Sequence, residues 1–202
     1  MSVVITLFEE INNHLMQDDI PSIYFNKIEH NSFYEDHPFT MLVNLKKTEQ
    51  SLIHHPEGNV WNHTMMVVDE AAKVKLKASD ARVFMWAALL HDIGKFDTTI
   101  NKKGKITSYN HDKVGAEMVS EFFKPFNEEI EFVKAVTSLV RWHMQVLFVI
   151  KSMPFAEVSN MKKQVSIDDI ALLGMCDRLG RTGADKRAEQ KNIELFLKKM
   201  KR

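Results

Sequence analysis

The sequence predicts an all-α fold, and three observations predict it. Seven glycines and five prolines in 202 residues are too few for the turns of a β-rich chain. Apolar residues recur at helical spacing in most segments. No run alternates apolar and polar residues for long enough to build a sheet. At this length the expectation is a single domain, residues 1–202, with enough apolar side chains to bury a substantial core.

The elements follow in order. Residues 3–16 form an amphipathic helix, with Val4, Leu7, Phe8, Ile11 and Leu15 on one face. Residues 20–37 are rich in aromatics and ambiguous. Pro38 suits the first turn of a second helix running to about Ile53. Asn59 or Asn62 caps a third, in which Met66, Val67, Ala71 and Val74 share a face. Ser79 or Asp80 caps a fourth, carrying Val83, Phe84, Ala87, Ala88 and His91 and ending near Gly94. The polar stretch "NKKGKITSYN" (101–110) reads as a loop with a short hairpin around Lys103-Gly104. Further helices are expected at about 111–124, 127–143, 166–179 and 184–200. Pro125 separates the first two of these, and Asn127 and Asp168 are candidate N-terminal signals.

Composition excludes several classes. Lys+Arg and Asp+Glu stand at 27 each, so no bulk basic surface exists to drive nucleic-acid binding by counterion release. The one cysteine, Cys176, has no partner for an internal disulfide, which suits a reducing cytoplasm. The N-terminus lacks the basic and apolar segments of a signal peptide. Charges interrupt the longest apolar stretches, so no membrane span is expected.

"ALLHDIGKFDTT" (88–99) then stands out. An apolar helix runs straight into His91-Asp92, and a buried carboxylate needs pairing or a metal. His63, His91-Asp92, His111, His143 and Asp177 are the candidate ligands, each at or near an expected helix. Separations of 19 to 34 residues suit ligands gathered from several helices of a bundle, not the short local spacings of a zinc finger. With no Cys pair, a Zn–thiolate site is excluded. A satisfied core or surface role is the ordinary fate of a helical histidine, and His14, His30, His37 and His54 are given no other. Asp177 taken alone is equally a helix cap or an ion-pair partner.

The set His63…His91-Asp92…Asp177 resembles the HD superfamily of metal-dependent phosphohydrolases, named for its adjacent His-Asp pair. "HHPEGNVWNHT" (54–64), "LLHDIGK" (89–95), "NHDKVGA" (110–116) and "DRLGR" (177–181) are similar to the HD domain attached to some bacterial CCA-adding tRNA nucleotidyltransferases. The likeness covers about residues 40–185, leaving the helices of 1–37 and 184–202 to pack on that core. The chain has no room for a nucleotidyltransferase head, so the HD module is expected to stand alone and CCA synthesis is not carried over. The resemblance implies a helical bundle with a central metal site, in which His63, His91, Asp92 and Asp177 hold a first ion. His111 and His143 correspond to the pair that holds a second in dinuclear members, with Asp92 bridging, so two divalent ions per chain are expected. Ligand type does not choose among Mn, Fe, Ni, Co, Zn and Mg.

Such metals activate water and neutralise charge on a phosphoryl oxygen, so no protein nucleophile is needed. The chain accordingly has neither a Gly-x-Ser-x-Gly segment nor a phosphate-cradling Gly-rich loop. Lys95, one turn beyond His91, suits a phosphate oxygen, though a cation also suits a helix C-terminus. Arg141, Arg178 and Arg181 are candidates for further phosphate contacts, with surface ion pairing as the equal alternative. Asp97 is a weak candidate acid. Core packing is the better reading of Trp61, Trp142 and Cys176, and a solvated terminal helix that of the basic segment after Ala184. The expectation is a cytoplasmic, metal-dependent phosphohydrolase acting on a nucleotide or small phosphoester, of 2′,3′-cyclic phosphodiesterase, nucleotidase or phosphatase type. A dinucleoside polyphosphate or other phosphoanhydride hydrolase is the alternative substrate class, and a non-catalytic metal- or nucleotide-binding regulatory module the alternative of another kind. Oligomeric state is not legible.

Overall fold

A computed structural model describes residues 3–28 and 36–201. It is an all-α bundle carrying one small hairpin. The first expected helix is α1 (Val3–Gln17), which buries Leu7, Phe8, Ile11 and Leu15. Within the ambiguous 20–37 segment, α2 spans Ser22–Ile28, and residues 29–35 lie outside the described residues. The long helix expected from Pro38 is instead α3 (Thr40–Val43) followed by a 3₁₀ turn over Asn44–Lys47. Tertiary bonds end it. Thr48 turns extended so that its carbonyl accepts from Val60 N, and Asn59 Nδ2 caps Lys46 O. That departure also carries Gln50 inward, to a place described below.

Asn59 caps α4 (Val60–Ala72) by accepting from Asn62 N. Asp80 caps α5 (Ala81–Leu90), taking the N–H groups of Arg82 and Val83. Every residue from Val83 to Leu90 is buried, the signature of a helix enclosed on all sides. It packs against α1, α4, α8 (Ile130–Trp142) and α11 (Ile167–Leu179), and so forms the axis of the bundle. Contrary to the single helix expected as far as Gly94, α5 stops at Leu90. His91–Gly94 form a turn, and Lys95 opens a separate short helix, α6 (Lys95–Thr98).

The hairpin falls where the sequence placed it. Strands β1 (Thr99–Lys102) and β2 (Lys105–Ser108) pair antiparallel across Lys103-Gly104, whose positive φ angles of 54° and 79° fit the tight turn that suits strand twist. Next come α7 (His111–Phe123) and α8, with Pro125 inside an intervening 3₁₀ turn. Asn127 does not cap α8: it adopts φ 51° and ends that turn. Two short helices not foreseen, α9 (Gln145–Ile150) and α10 (Val158–Met161), lead to α11. The cap of α11 is Ser166, with Asp168 in its first turn, and α12 (Lys186–Met200) completes the chain against α11 and α9. One stretch, Ile130–Ile150, is long and apolar enough to cross a membrane by length and composition only, a test that a core helix also passes. Here it is divided between α8 and α9 and places His143 in the interior.

Glycines set the closest approaches. A Cβ on Gly94 would lie 2.3 Å from the carbonyl oxygen of His111 and 2.5 Å from the nitrogen of Gly115. Only hydrogen at this position lets the turn after Asp92 sit against the start of α7. Gly94→Ala is therefore expected to destabilise the fold by about 2–3 kcal/mol, the upper range for overpacking, because backbone must move. Urea denaturation measures it, and a loss under about 0.5 kcal/mol would show that the contact is not tight.

Candidate metal centre

Four histidines from different elements point at one carboxylate. His63 lies on α4, His91 ends α5, His111 opens α7 and His143 ends α8. All four and Asp92 are buried. In each ring Nδ1 faces a backbone carbonyl: His63 to Gly180 (3.0 Å), His91 to Ala88 (2.9 Å), His111 to Ser108 (2.7 Å) and His143 to Val140 (2.7 Å). A carbonyl oxygen only accepts, so each Nδ1 carries a proton, and a ring with no second proton presents a bare Nε2.

These Nε2 atoms converge. Asp92 Oδ2 lies 3.2 Å from that of His91 and 3.8 Å from that of His63, while Oδ1 lies 3.4 Å from that of His111 and 3.8 Å from that of His143. Asp177 Oδ1 sits 3.2 Å from His63 Nε2. The Nε2 atoms of His111 and His143 are 3.2 Å apart. With both Nδ1 positions protonated, two lone pairs would face each other there, an arrangement that a cation resolves. His63 Nε2 and His91 Nε2 are buried without a hydrogen-bond partner, and an unpaired buried polar atom is costly. The donor set, imidazole nitrogens around carboxylate oxygens, fits a divalent metal ion.

Electrostatics agree. Burial would raise Asp92, but the charges of His91 and Lys95 outweigh it and hold the carboxyl well below the usual carboxylate range. Asp177 is likewise held low against burial, chiefly by Arg181 and His63. Burial, then His111 and His91, push His143 down to about 3, and burial lowers His111. His63 alone of the four is shown raised, since its bonds to Asp177 and Glu57 exceed the burial penalty. A proton there answers the same pair of carboxylates that a cation would.

Lys95 is not the solvated helix terminus that its sequence position allowed. It is 8% exposed, with Nζ 2.6 Å from Asp92 Oδ2 and donating to Gln50 Oε1 at 2.7 Å. Arg181 donates from Nη2 to Asp177 Oδ1 at 2.9 Å, while its Nε is buried and unpaired. Arg178 and Arg181 join His143, Asp177, Met144, Val146, Leu147 and Gly174 around a small cleft of about 20 Å³. Arg141 is elsewhere engaged: it pairs with Asp112 (2.8 Å) and Glu157 (2.9 Å) and stacks on Trp142, so its place is structural. Asp97 is exposed. Trp61 and Trp142 are buried, their indole N–H groups bonded to Asn26 and Gln164. Burial pushes the Cys176 thiol up to about 12, which leaves it inert.

Sequence reasoning missed His55, Glu57 and Gln50. Glu57 Oε1 lies 3.1 Å from His63 Nδ1 and 2.9 Å from His55 Nδ1, and Oε2 accepts from Thr182 N at 3.3 Å. The carboxylate thus steadies His63 from behind and ties the 54–59 loop to the end of α11. Burial raises Glu57, but its bond to His63 leads the opposing effects that bring it down to about 2. "HHPEGNVWNHT" held the signal, since an acid six residues before a ligand histidine is a candidate outer partner, but distance alone shows it.

An enclosed helical bundle whose axial helix delivers a His-Asp pair into a ring of further His and Asp donors is a scaffold suited to binding metal. The HD domain model matches residues 60–163, half of the chain, and the chain belongs to the HD domain family, within the metal-dependent phosphohydrolase superfamily. The matched span includes His63, His91, Asp92, His111 and His143 but not Asp177. The "Multifunctional CCA protein" of Halorhodospira halophila (strain DSM 244 / SL1) is 38% identical over 96 residues, 47% of this chain and 21% of that protein. Proteins of the same description from Actinobacillus pleuropneumoniae serotypes 5b (strain L20) and 7 (strain AP76) are 37% identical over 57 residues, 28% of this chain and 13% of theirs. The chain thus spans about a fifth or less of these relatives' length.

Outer carboxylates of this kind carry a factor of about 10–100 in metal affinity. Glu57→Ala is expected to weaken Mn²⁺ binding by that much in calorimetric titration, and Glu57→Gln, which keeps one acceptor, to recover most of it. Unchanged affinity in the alanine variant would remove Glu57 from the centre.

Proposed function

We propose that this chain is a phosphohydrolase using two divalent metal ions, acting on a nucleotide or other small phosphoester. The observation that supports it most is the division of Asp92: one oxygen toward His63 and His91, the other toward His111 and His143. In this reading His63, His91, Asp92 and Asp177 hold one ion, His111, His143 and Asp92 the other. When bound, such a pair supplies Lewis-acid polarisation of a phosphoryl oxygen and a water acidic enough to attack at neutral pH.

The remaining work belongs to the chain. The carbonyl bonds at Nδ1 hold all four rings in one tautomer, so the donors are arranged before substrate arrives. Lys95, fixed by Gln50, sets a positive charge beside the shared carboxylate for a phosphoryl oxygen to meet. Gln50 Nε2 and Arg181 Nε are buried donors without acceptors, one beside Lys95 and one beside Asp177. Such donors suit an incoming anion. Met144, Val146 and Leu147 line the same small cleft as Arg178 and Arg181, which sets apolar and cationic side chains together beside Asp177. Hydrolysis of 2′,3′-cyclic phosphodiesters and of linear phosphomonoesters is the favoured chemistry.

Asp92→Ala is expected to abolish metal binding and hydrolysis together while leaving the helical circular dichroism intact. Metal analysis and a panel of p-nitrophenyl mono- and diesters with added Mn²⁺, Ni²⁺ or Mg²⁺ measure both. Full activity with undiminished metal content in that variant would overturn the site. A metal-loaded wild type that binds nucleotide without turning over any ester would establish the regulatory module instead.

A further inference from the structure

The hairpin β1–β2 has properties that neither the core nor the metal centre explains. Its base belongs to the centre's wall. β1 follows directly from α6, which begins with Lys95, and β2 ends at Ser108, whose carbonyl accepts from His111 Nδ1. A hydroxyl pair, Thr99 Oγ1 and Ser108 Oγ at 2.7 Å, closes that base. Strands of four residues carry the tip about 13 Å outward at about 3.3 Å per residue. Every residue from Ile100 to Lys105 is exposed.

The arm is basic in a chain with no net charge. Thr99–Ser108 contains Lys102, Lys103 and Lys105 and no acid. Lys102 and Lys105 are registered directly opposite each other, with Lys103 in the turn between. Like charges facing across a strand pair destabilise it. Some exposed lysines elsewhere are paired, Lys73 with Glu70, Lys124 with Glu121 and Lys134 with Glu131, and others such as Lys77 and Lys163 are not; among the described residues none of the hairpin's three has an acid partner, and the hairpin brings these three together. Glu49 reaches the hairpin only through Asn101, on the opposite face of the strand. Three unneutralised charges at the end of an exposed arm suit an anion with spaced charges. At the root, Tyr109 follows β2 with its side chain 72% exposed, two residues before His111.

We propose that this hairpin is a binding arm for the phosphate backbone of a single-stranded nucleic acid, delivering a strand end to the metal centre with Tyr109 as a stacking surface for a base. Repeated phosphates answer the lysines, and an exposed ring answers a base of any identity. An acidic peptide would satisfy the charges but leaves the ring and the neighbouring phosphoester chemistry unused. The inference rests on the phosphohydrolase reading for what happens at the strand end, but binding is read without turnover.

The test uses the full chain and a fluorescein-labelled 12-nucleotide oligouridylate, followed by anisotropy from low to moderate salt. A triple variant, Lys102→Gln, Lys103→Asn and Lys105→Gln, removes the charge, with Asn chosen because it tolerates the positive φ of position 103. The wild type should bind with a steep salt dependence. The variant's log–log salt slope should be shallower by about 2, at about 0.7 for each lost phosphate contact. Tyr109→Ala should weaken binding roughly fivefold or more with the slope unchanged. Hydrolysis of p-nitrophenyl phosphate, too small to reach the arm, should be the same in the triple variant as in the wild type. Equal strand affinity and slope in wild type and triple variant would overturn the arm, as would equally tight binding of a polyglutamate peptide. Strand binding with no ester hydrolysis under any metal would retain the arm and overturn the phosphohydrolase reading.

Discussion

Four hydrogen bonds from histidine Nδ1 to backbone carbonyls carry the arrangement of this protein's interior. Three run back three residues, from His91 to Ala88, His111 to Ser108 and His143 to Val140, so each ring is steered by the end or start of the helix that bears it. The fourth crosses the bundle from His63 to Gly180. With Nδ1 committed as donor, the Nε2 atoms converge on Asp92, and those of His63 and His91 have no other hydrogen-bond partner. The resulting cluster of His and Asp donors suits a divalent cation.

Packing serves that geometry at a few points of very close approach. Gly94 lets the turn after Asp92 lie on the first turn of α7, which sets His111 against the shared carboxylate. Gly174 admits Val146 of α9 to the surface of α11, and Gly180 lies against the backbone of Val67 while its carbonyl orients His63. Helix ends, not helix faces, supply most of the donors. The core fixes where those ends fall through the enclosed α5, whose neighbours include the α4, α8 and α11 elements that carry His63, His143 and Asp177.

Much of this was legible in the sequence. Helical spacing located α1, α4, α7, α8 and α12, which have periodic apolar faces; α5 announced itself as an unbroken apolar run, α11 by its N-terminal signal, and Lys103-Gly104 marked the hairpin. The six His and Asp residues that converge were recognisable from motif order. What escaped depends on contacts distant in sequence. The segment after Pro38 leaves the helix because Thr48 and Asn59 bind across it, which no local propensity encodes. Gln50, His55 and Glu57 are ordinary polar residues until the fold sets them beside Lys95 and His63. Arg141 has the residue type for a phosphate contact, but Asp112 and Glu157 reach it first.

The central claim is that His91, His111 and His143 are held as neutral Nδ1–H rings, and that their Nε2 atoms together with that of His63 take a divalent metal. Imidazole ¹⁵N NMR of the full chain, recorded before and during titration with diamagnetic Zn²⁺, reads it directly. The account predicts that His91, His111 and His143 show protonated Nδ1 and unprotonated Nε2 in the metal-free protein. On adding Zn²⁺, all four Nε2 signals should move while Nδ1 stays protonated. Protonated Nε2 nitrogens that ignore Zn²⁺, or metal bound through Nδ1, would contradict it.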